Sequence, residues 1–182
     1  MNTMKKGRRL ALATAVAAIA IALSGCAATD VNTKADNAKG GKAASARVGQ
    51  PVTVKGNDDG SKLQVTAKRV TNTSSSDQFV KPDKGKRLVA VQFVLKNTGT
   101  AAYDDAPSNG AKVVDKAGQQ YEADAFFDQV AAGQQLPTSV KLAPGNRALG
   151  YLVFQVPVRA RIAQVQFSMD SGFGQTAQWN VR

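Results

Sequence analysis

Val89-Ala90-Val91-Gln92-Phe93-Val94-Leu95-Lys96-Asn97-Thr98-Gly99 sets the fold class of this chain. Val89, Val91, Phe93 and Leu95 share one face, because successive side chains of an extended strand point to opposite sides. Asn97-Thr98-Gly99 then stops the run with turn chemistry. The same period of two recurs on either side. Leu63, Val65 and Ala67 alternate with Gln64, Thr66 and Lys68, and Ile162, Val165 and Phe167 flank Gln164 and Gln166. Leu149–Val156 is apolar on both faces and is expected to be a central strand. Shorter pieces at Lys112–Asp115, Gln119–Ala123 and Gln178–Val181 bring the expected total to seven to nine strands.

Turns punctuate these runs at Asp58-Asp59-Gly60, Asp115-Lys116-Ala117-Gly118 and Pro144-Gly145-Asn146, where Asp, Asn, Pro and Gly each favour a turn backbone. Ala123–Gln135 has weak helical character and reads as either a short helix or an irregular crossing loop. Many short strands, regular turns and little helix predict an all-β domain, an antiparallel immunoglobulin-like β-sandwich. Trp179 is a candidate core aromatic, although it lies too late in the chain for the tryptophan usual on the third strand of that fold. The expected domain runs from residue 48 to 182, long enough for one core without disulfides.

The segments before it are of another kind. Lys5, Lys6, Arg8 and Arg9 precede a run of about 14 mostly apolar residues, Leu10–Leu23, and Leu23-Ser24-Gly25 lead into Cys26, the only cysteine. A basic start, an apolar centre and small residues before a cut describe a signal peptide over residues 1–25. Its spelling resembles the bacterial lipobox, which makes Cys26 the expected site of lipid attachment. The apolar run falls short of the roughly 20 residues that span a bilayer. Arg8-Arg9 also spells part of a twin-arginine signal, but its flanks match poorly and the general secretory route is favoured. Residues 26–47 are rich in Ala, Lys, Asn, Asp and Gly without periodicity. They are expected to form a disordered tether with a reach near 25 Å.

Composition removes several chemistries. With Cys26 acylated, the mature chain has no thiol, and the chain contains no histidine. Histidine-based nucleophilic catalysis and the usual zinc and copper sites are thereby excluded. No cofactor and no resident metal are expected, and nothing spaces a nucleophile against a base, so the chain reads as a non-enzyme. Net charge is +11, and +7 once the four basic residues before Cys26 are removed. In an exported protein with scattered charge this favours anionic headgroups or wall polymers over nucleic acid; a merely solvated basic surface is the plain alternative.

Four local features remain. Asp104, Asp105, Glu122, Asp124 and Asp128 form the densest acidic region; their spacing fits no calcium loop, and they read as surface acids. Lys81-Pro82-Asp83-Lys84-Gly85-Lys86-Arg87 is a basic loop that either grips an anion or guards the start of a strand, the second being favoured. Phe126-Phe127 is expected to fill core from a crossing loop rather than to anchor a partner. Asn72-Thr73-Ser74 spells a glycosylation acceptor that a bacterial lipoprotein has no ordinary use for.

A family resemblance rests on an ordered series. Val91–Gly99 is followed by Val113-Val114-Asp115-Lys116-Ala117-Gly118-Gln119-Gln120-Tyr121, then Leu142-Ala143-Pro144-Gly145, then Gly150-Tyr151-Leu152-Val153-Phe154-Gln155-Val156-Pro157. Over about Pro51–Asp170 the chain resembles the telokin-like, immunoglobulin-like domain of unknown function found in exported bacterial lipoproteins. The resemblance implies a sandwich fold and an extracytoplasmic location, more often in Gram-positive cells, and brings no catalytic residues. The functional expectation is a membrane-anchored binding module facing outside, held by lipid on Cys26, with an envelope protein or an anionic wall polymer as partner. The alternative is an accessory, inhibitor or chaperone-like subunit of a membrane complex; a hydrolase using Asp or Lys is a distant third.

Overall fold

Alternation becomes two packed sheets in the computed structural model, which describes residues 44–127 and 129–182. In chain order the strands are β1 (Ala44–Arg47), β2 (Pro51–Lys55), β3 (Lys62–Thr73), β4 (Lys86–Asn97), β5 (Tyr103–Asp105), β6 (Ala111–Asp115), β7 (Gln120–Glu122), β8 (Val140–Leu142), β9 (Arg147–Pro157), β10 (Ile162–Ser168) and β11 (Thr176–Asn180). One sheet runs β2-β3-β4-β9, the other β1-β11-β10-β6-β7, and β5 and β8 pair separately. All pairings within these sheets are antiparallel except β1 with β11. The fold is the expected all-β sandwich.

The core lies between the sheets. Val89, Val91, Phe93 and Leu95 of β4 are buried, as are Leu63, Val65 and Ala67 of β3 and Val165 and Phe167 of β10. Trp179 on β11 is fully buried and meets Phe93 edge-on, with ring centroids 6.3 Å apart, while Phe93 lies 5.7 Å from Phe167. Trp179 is thus a core aromatic of the opposite sheet.

The seven segments identified by pattern are all strands. The structure adds β1, β2, β5 and β8, giving eleven among the described residues instead of seven to nine. β1, β5 and β8 have three or four residues each, too few to display a period, whereas β2 shows one, with Val52 and Val54 inward, that sequence reasoning passed over. Two expectations need correction. The sheet begins at Ala44, not residue 48: β1 pairs with β11 from Ala44↔Ala177 to Arg47↔Asn180. Backbone hydrogen bonds recruit this polar segment, and they leave no mark in side-chain hydropathy. The tether and signal otherwise lie outside the described residues. Secondly, β9 is the last strand of its sheet, not a central one.

The apolar outer side of β9 has a different cause. The segment after β7 crosses the outside of the four-stranded sheet as a loop, with bridges Ser75↔Val130, Ala123↔Phe154 and Gln135↔Tyr151. Phe127 and Val130 from this loop bury Leu88 and Val153 in a second small core. Gly150 permits the approach, since a Cβ there would collide with the backbone at Gln135 and Leu136.

Candidate functional site

Charge on the four-stranded sheet has one sign. Its strands carry eight lysines and arginines and no aspartate or glutamate. Because alternate residues fill the core, these charges face outward wherever the period holds. At one end of the sheet Lys55 lies directly opposite Lys62, and Lys96 directly opposite Arg147. Lys62 is diagonal to Lys96, since Gln64 is the residue that faces Lys96. All four side chains are exposed. The ion pairs among the described residues involve none of them. Like charges directly opposite on neighbouring strands repel.

Beyond β9 lies Lys141 on β8. Lys96, Lys141 and Arg147 line a shallow cavity of about 670 Å³ together with Leu142, Gly145 and Asn146. Lys141 pairs with Asp104 at 2.8 Å, and that hydrogen bond and charge raise the lysine's pKa. Further along the same face, Arg69 stacks over Tyr151 at 5.7 Å from the ring centre and donates a hydrogen bond to its hydroxyl.

The acidic residues are dispersed. Asp104 serves Lys141, Glu122 lies 3.3 Å from Lys112, and the Asp124 carboxylate accepts the Phe126 N–H at 2.9 Å. Asp128 lies outside the described residues. Asp105 accepts both the N–H and the hydroxyl of Ser171, at 2.8 and 2.6 Å. Asp170 joins it from far along the sequence, accepting the Asn57 N–H at 2.6 Å. These two, with Asp58 and Asp104, line a cavity of about 500 Å³. Sequence reasoning missed Asp170, an isolated acid with no local signal. No group of three acids, histidines or cysteines among the described residues is spaced to hold a metal. Burial of Tyr103, helped by Asp105, Asp170 and Asp104, pushes its hydroxyl far above the usual tyrosine range.

The remaining sequence candidates divide. In the basic loop, Lys86 pairs with Asp83 at 2.8 Å, and Arg87 donates to Asn72 and, at 2.8 Å, to the Ala160 carbonyl. Half of that loop's charge is therefore structural, and Asn72 is engaged with it. Phe127 fills the second core as expected, but its neighbour Phe126 is 86% exposed, and Phe79 is 84% exposed. The loops carrying Phe79 and Phe126 are joined by hydrogen bonds, Ser76 N–H to Gln129 at 2.9 Å and Ala131 N–H to Ser74 at 3.0 Å.

Asp58-Asp59-Gly60 and Asp115–Gly118 are hairpin turns, as read. The Asp115 carboxylate accepts N–H bonds from Gln119 and Ala117, both at 2.9 Å, and the Tyr121 hydroxyl at 3.0 Å. The Gln119 bond foremost lowers its pKa. A depressed folded pKa gives stability that is present above the unfolded value, about 3.9, and lost as pH falls through the folded one. Asp115→Asn is thus expected to melt lower than the parent at pH 7, with the two melting curves converging as the pH drops below about 4. Equal curves at pH 7 would remove this role.

Cys26 lies outside the described residues. No helix among the described residues is long and apolar enough to cross a membrane. The family model described as "Domain of unknown function (DUF4352)" matches residues 47–178. Among solved structures, the secreted protein MPT63 of Mycobacterium tuberculosis is similar at 14% identity. That match covers 78% of this chain and 99% of that one, with a TM-score of 0.54. The yjhA protein of Bacillus subtilis is similar at 10% identity, covering 75% and 99%, with a TM-score of 0.52. At these identities the likeness concerns the fold. No curated protein matches the chain in sequence. The sandwich and the family match bear out the resemblance drawn from the sequence.

Proposed function

Because the chain belongs to the DUF4352 family, matched over residues 47–178, we propose a function from its own residues: an exported, lipid-anchored, non-enzymatic binding module of the cell envelope. The N-terminal signal and Cys26 support the location. Two acyl chains would hold the domain at the outer membrane surface, where one gives only marginal attachment.

The observation that carries the binding role is how the fold uses its charges. Asp104, Asp105, Asp115 and Asp170 are taken up by turns and ion pairs. Lys55, Lys62, Lys96 and Arg147 face solvent together on one sheet. Such a surface is suited to an anionic partner, whether an acidic envelope protein or a wall polymer. The exposed Phe79 and Phe126 support the second reading, an accessory or chaperone-like subunit docking on a membrane protein, since exposed aromatics anchor protein interfaces.

Crosslinking in intact cells tests the choice. An envelope polymer retained by the native protein supports the module. One dominant membrane protein, lost on Phe79→Ser/Phe126→Ser substitution, supports the accessory subunit. Cys26→Ser is expected to move the protein from the membrane to the soluble exported fraction. Retention of that variant after alkaline carbonate washing would refute lipid anchoring.

A further inference from the structure

We propose that the outward face of the four-stranded sheet, through Lys55, Lys62, Lys96 and Arg147, binds a linear phosphodiester polyanion. The proposal rests on the binding-module reading and gives it a face and a ligand chemistry.

The argument begins with strand order. Lys55 belongs to β2, Lys62 to β3, Lys96 to β4 and Arg147 to β9, and the sheet runs β2-β3-β4-β9. Each successive strand therefore presents one cation. Strands lie about 4.8 Å apart, so the four charges span roughly 14 Å across the sheet. A chain laid across the strands meets a positive group at every step. Beyond β9, Lys96 and Arg147 border a shallow cavity with Lys141, whose charge Asp104 offsets at 2.8 Å.

Electrostatics favours an occupant. Lys55↔Lys62 and Lys96↔Arg147 are like-charged pairs directly opposite one another, and no acidic residue stands on any strand of the sheet to relieve them. In the free domain each pair is repulsive. Anionic groups between the cations turn that repulsion into attraction, and no carboxylate of these strands competes for them.

The side-chain chemistry points to phosphodiesters. Lysine binds phosphate as a point charge, and the arginine fork adds bidentate recognition of its oxygens. A bilayer surface fits less well. The large exposed aromatics Phe79, Phe126 and Phe173 all lie outside these strands, and Leu149 is the one large exposed apolar residue on them.

The test uses the full-length chain in neutral detergent with synthetic poly(glycerol phosphate) as the probe. Four released counterions predict that affinity falls roughly 50-fold between about 50 and 200 mM NaCl. Lys96→Gln/Arg147→Gln is expected to weaken binding at least tenfold at the lower salt, roughly the share of two phosphate contacts. Arg147→Glu is expected to lose binding as well, yet to melt no lower than the parent, because it places an acid opposite Lys96. Lys81→Gln/Lys84→Gln in the basic loop is expected to bind like the parent.

Four outcomes would overturn the proposal. They are no binding by the parent, equal affinity for polyglutamate of matched length, capture only by phosphatidylglycerol vesicles, or loss confined to the loop variant. A parent that ignores the probe but retains another envelope partner on crosslinking overturns this face and ligand while the module reading stands.

Discussion

Trp179→Ala is expected to lower the unfolding free energy of the domain by about 3–5 kcal/mol, the usual cost of emptying a buried aromatic site. Folded domains are stable by about 5–15 kcal/mol in all, so this one change removes a large share. Trp179 is fully buried, stacks edge-on against Phe93, and donates its indole N–H to the Gln50 carbonyl at 2.8 Å. Gln50 lies in the turn by which the chain leaves β1 in one sheet and enters β2 in the other. The same turn is held by Gly49 N–H to Ala67 at 2.8 Å and by Arg47 N–H to the Gln50 side chain, also 2.8 Å. Losing the indole therefore opens a cavity and also frees a crossover between sheets. Trp179→Phe keeps most of the ring contact and loses the hydrogen bond, so about 1–2 kcal/mol is expected. Urea titration of the Cys26→Ser chain measures both. A Trp179→Ala loss below about 1 kcal/mol would contradict the core assignment.

Asn97 should be nearly as intolerant, for a different reason. It is the one buried polar side chain among the described residues, 1% exposed. Its amide donates to the Ala101 and Leu142 carbonyls at 2.8 and 2.9 Å, and its oxygen accepts the Gly99 N–H at 2.9 Å. Asn97→Leu takes the donor from the Ala101 and Leu142 carbonyls, while the Gly99 N–H keeps the Lys62 carbonyl at 3.1 Å. At about 1–3 kcal/mol for each one left unsatisfied, a loss near 3 kcal/mol or more is expected. Asn97→Asp keeps the acceptor but sets a carboxylate against two carbonyl oxygens. Its folded pKa must then lie above the unfolded value of about 3.9, so the penalty is small at low pH and grows as pH rises through that range. An Asn97→Asp chain with a constant deficit from pH 3 to 7 would show that the network does not work this way.

These two residues also mark how far pattern reasoning reaches. The alternation in β3, β4 and β10 is legible because each strand has several inward positions. β5 and β8 have three residues each, and the pair persists because Tyr103, Val140 and Leu142 enter the core and Asn97 anchors Leu142, contacts that no local pattern shows. β9 looked central because both its faces are apolar. One face is in fact covered by Phe127 and Val130 from the crossing loop, a contact between segments far apart in sequence. For the same reason Phe126-Phe127 could not be divided in advance: neighbouring residues of equal hydropathy point to opposite fates, one into the second core and one into solvent.

The candidate site follows the same rule. Its residue types were visible as an excess of lysine and arginine, but the sequence drew the eye to Lys81–Arg87, where the charges are contiguous. Half of those charges are bound within the fold, and the four cations of the candidate face come from four separate strands. What is local is settled by the chain alone: strand periodicity, turn chemistry and the absence of histidine. What depends on register is settled only by folding. Hydrogen bonding places Lys96 beside Arg147 and Lys55 beside Lys62, and a shift of one residue in either pairing would break that alignment. Pairing energy is spread along whole strands and is blind to the spacing of charges in sequence, so the charged face exists only once the sheet is assembled.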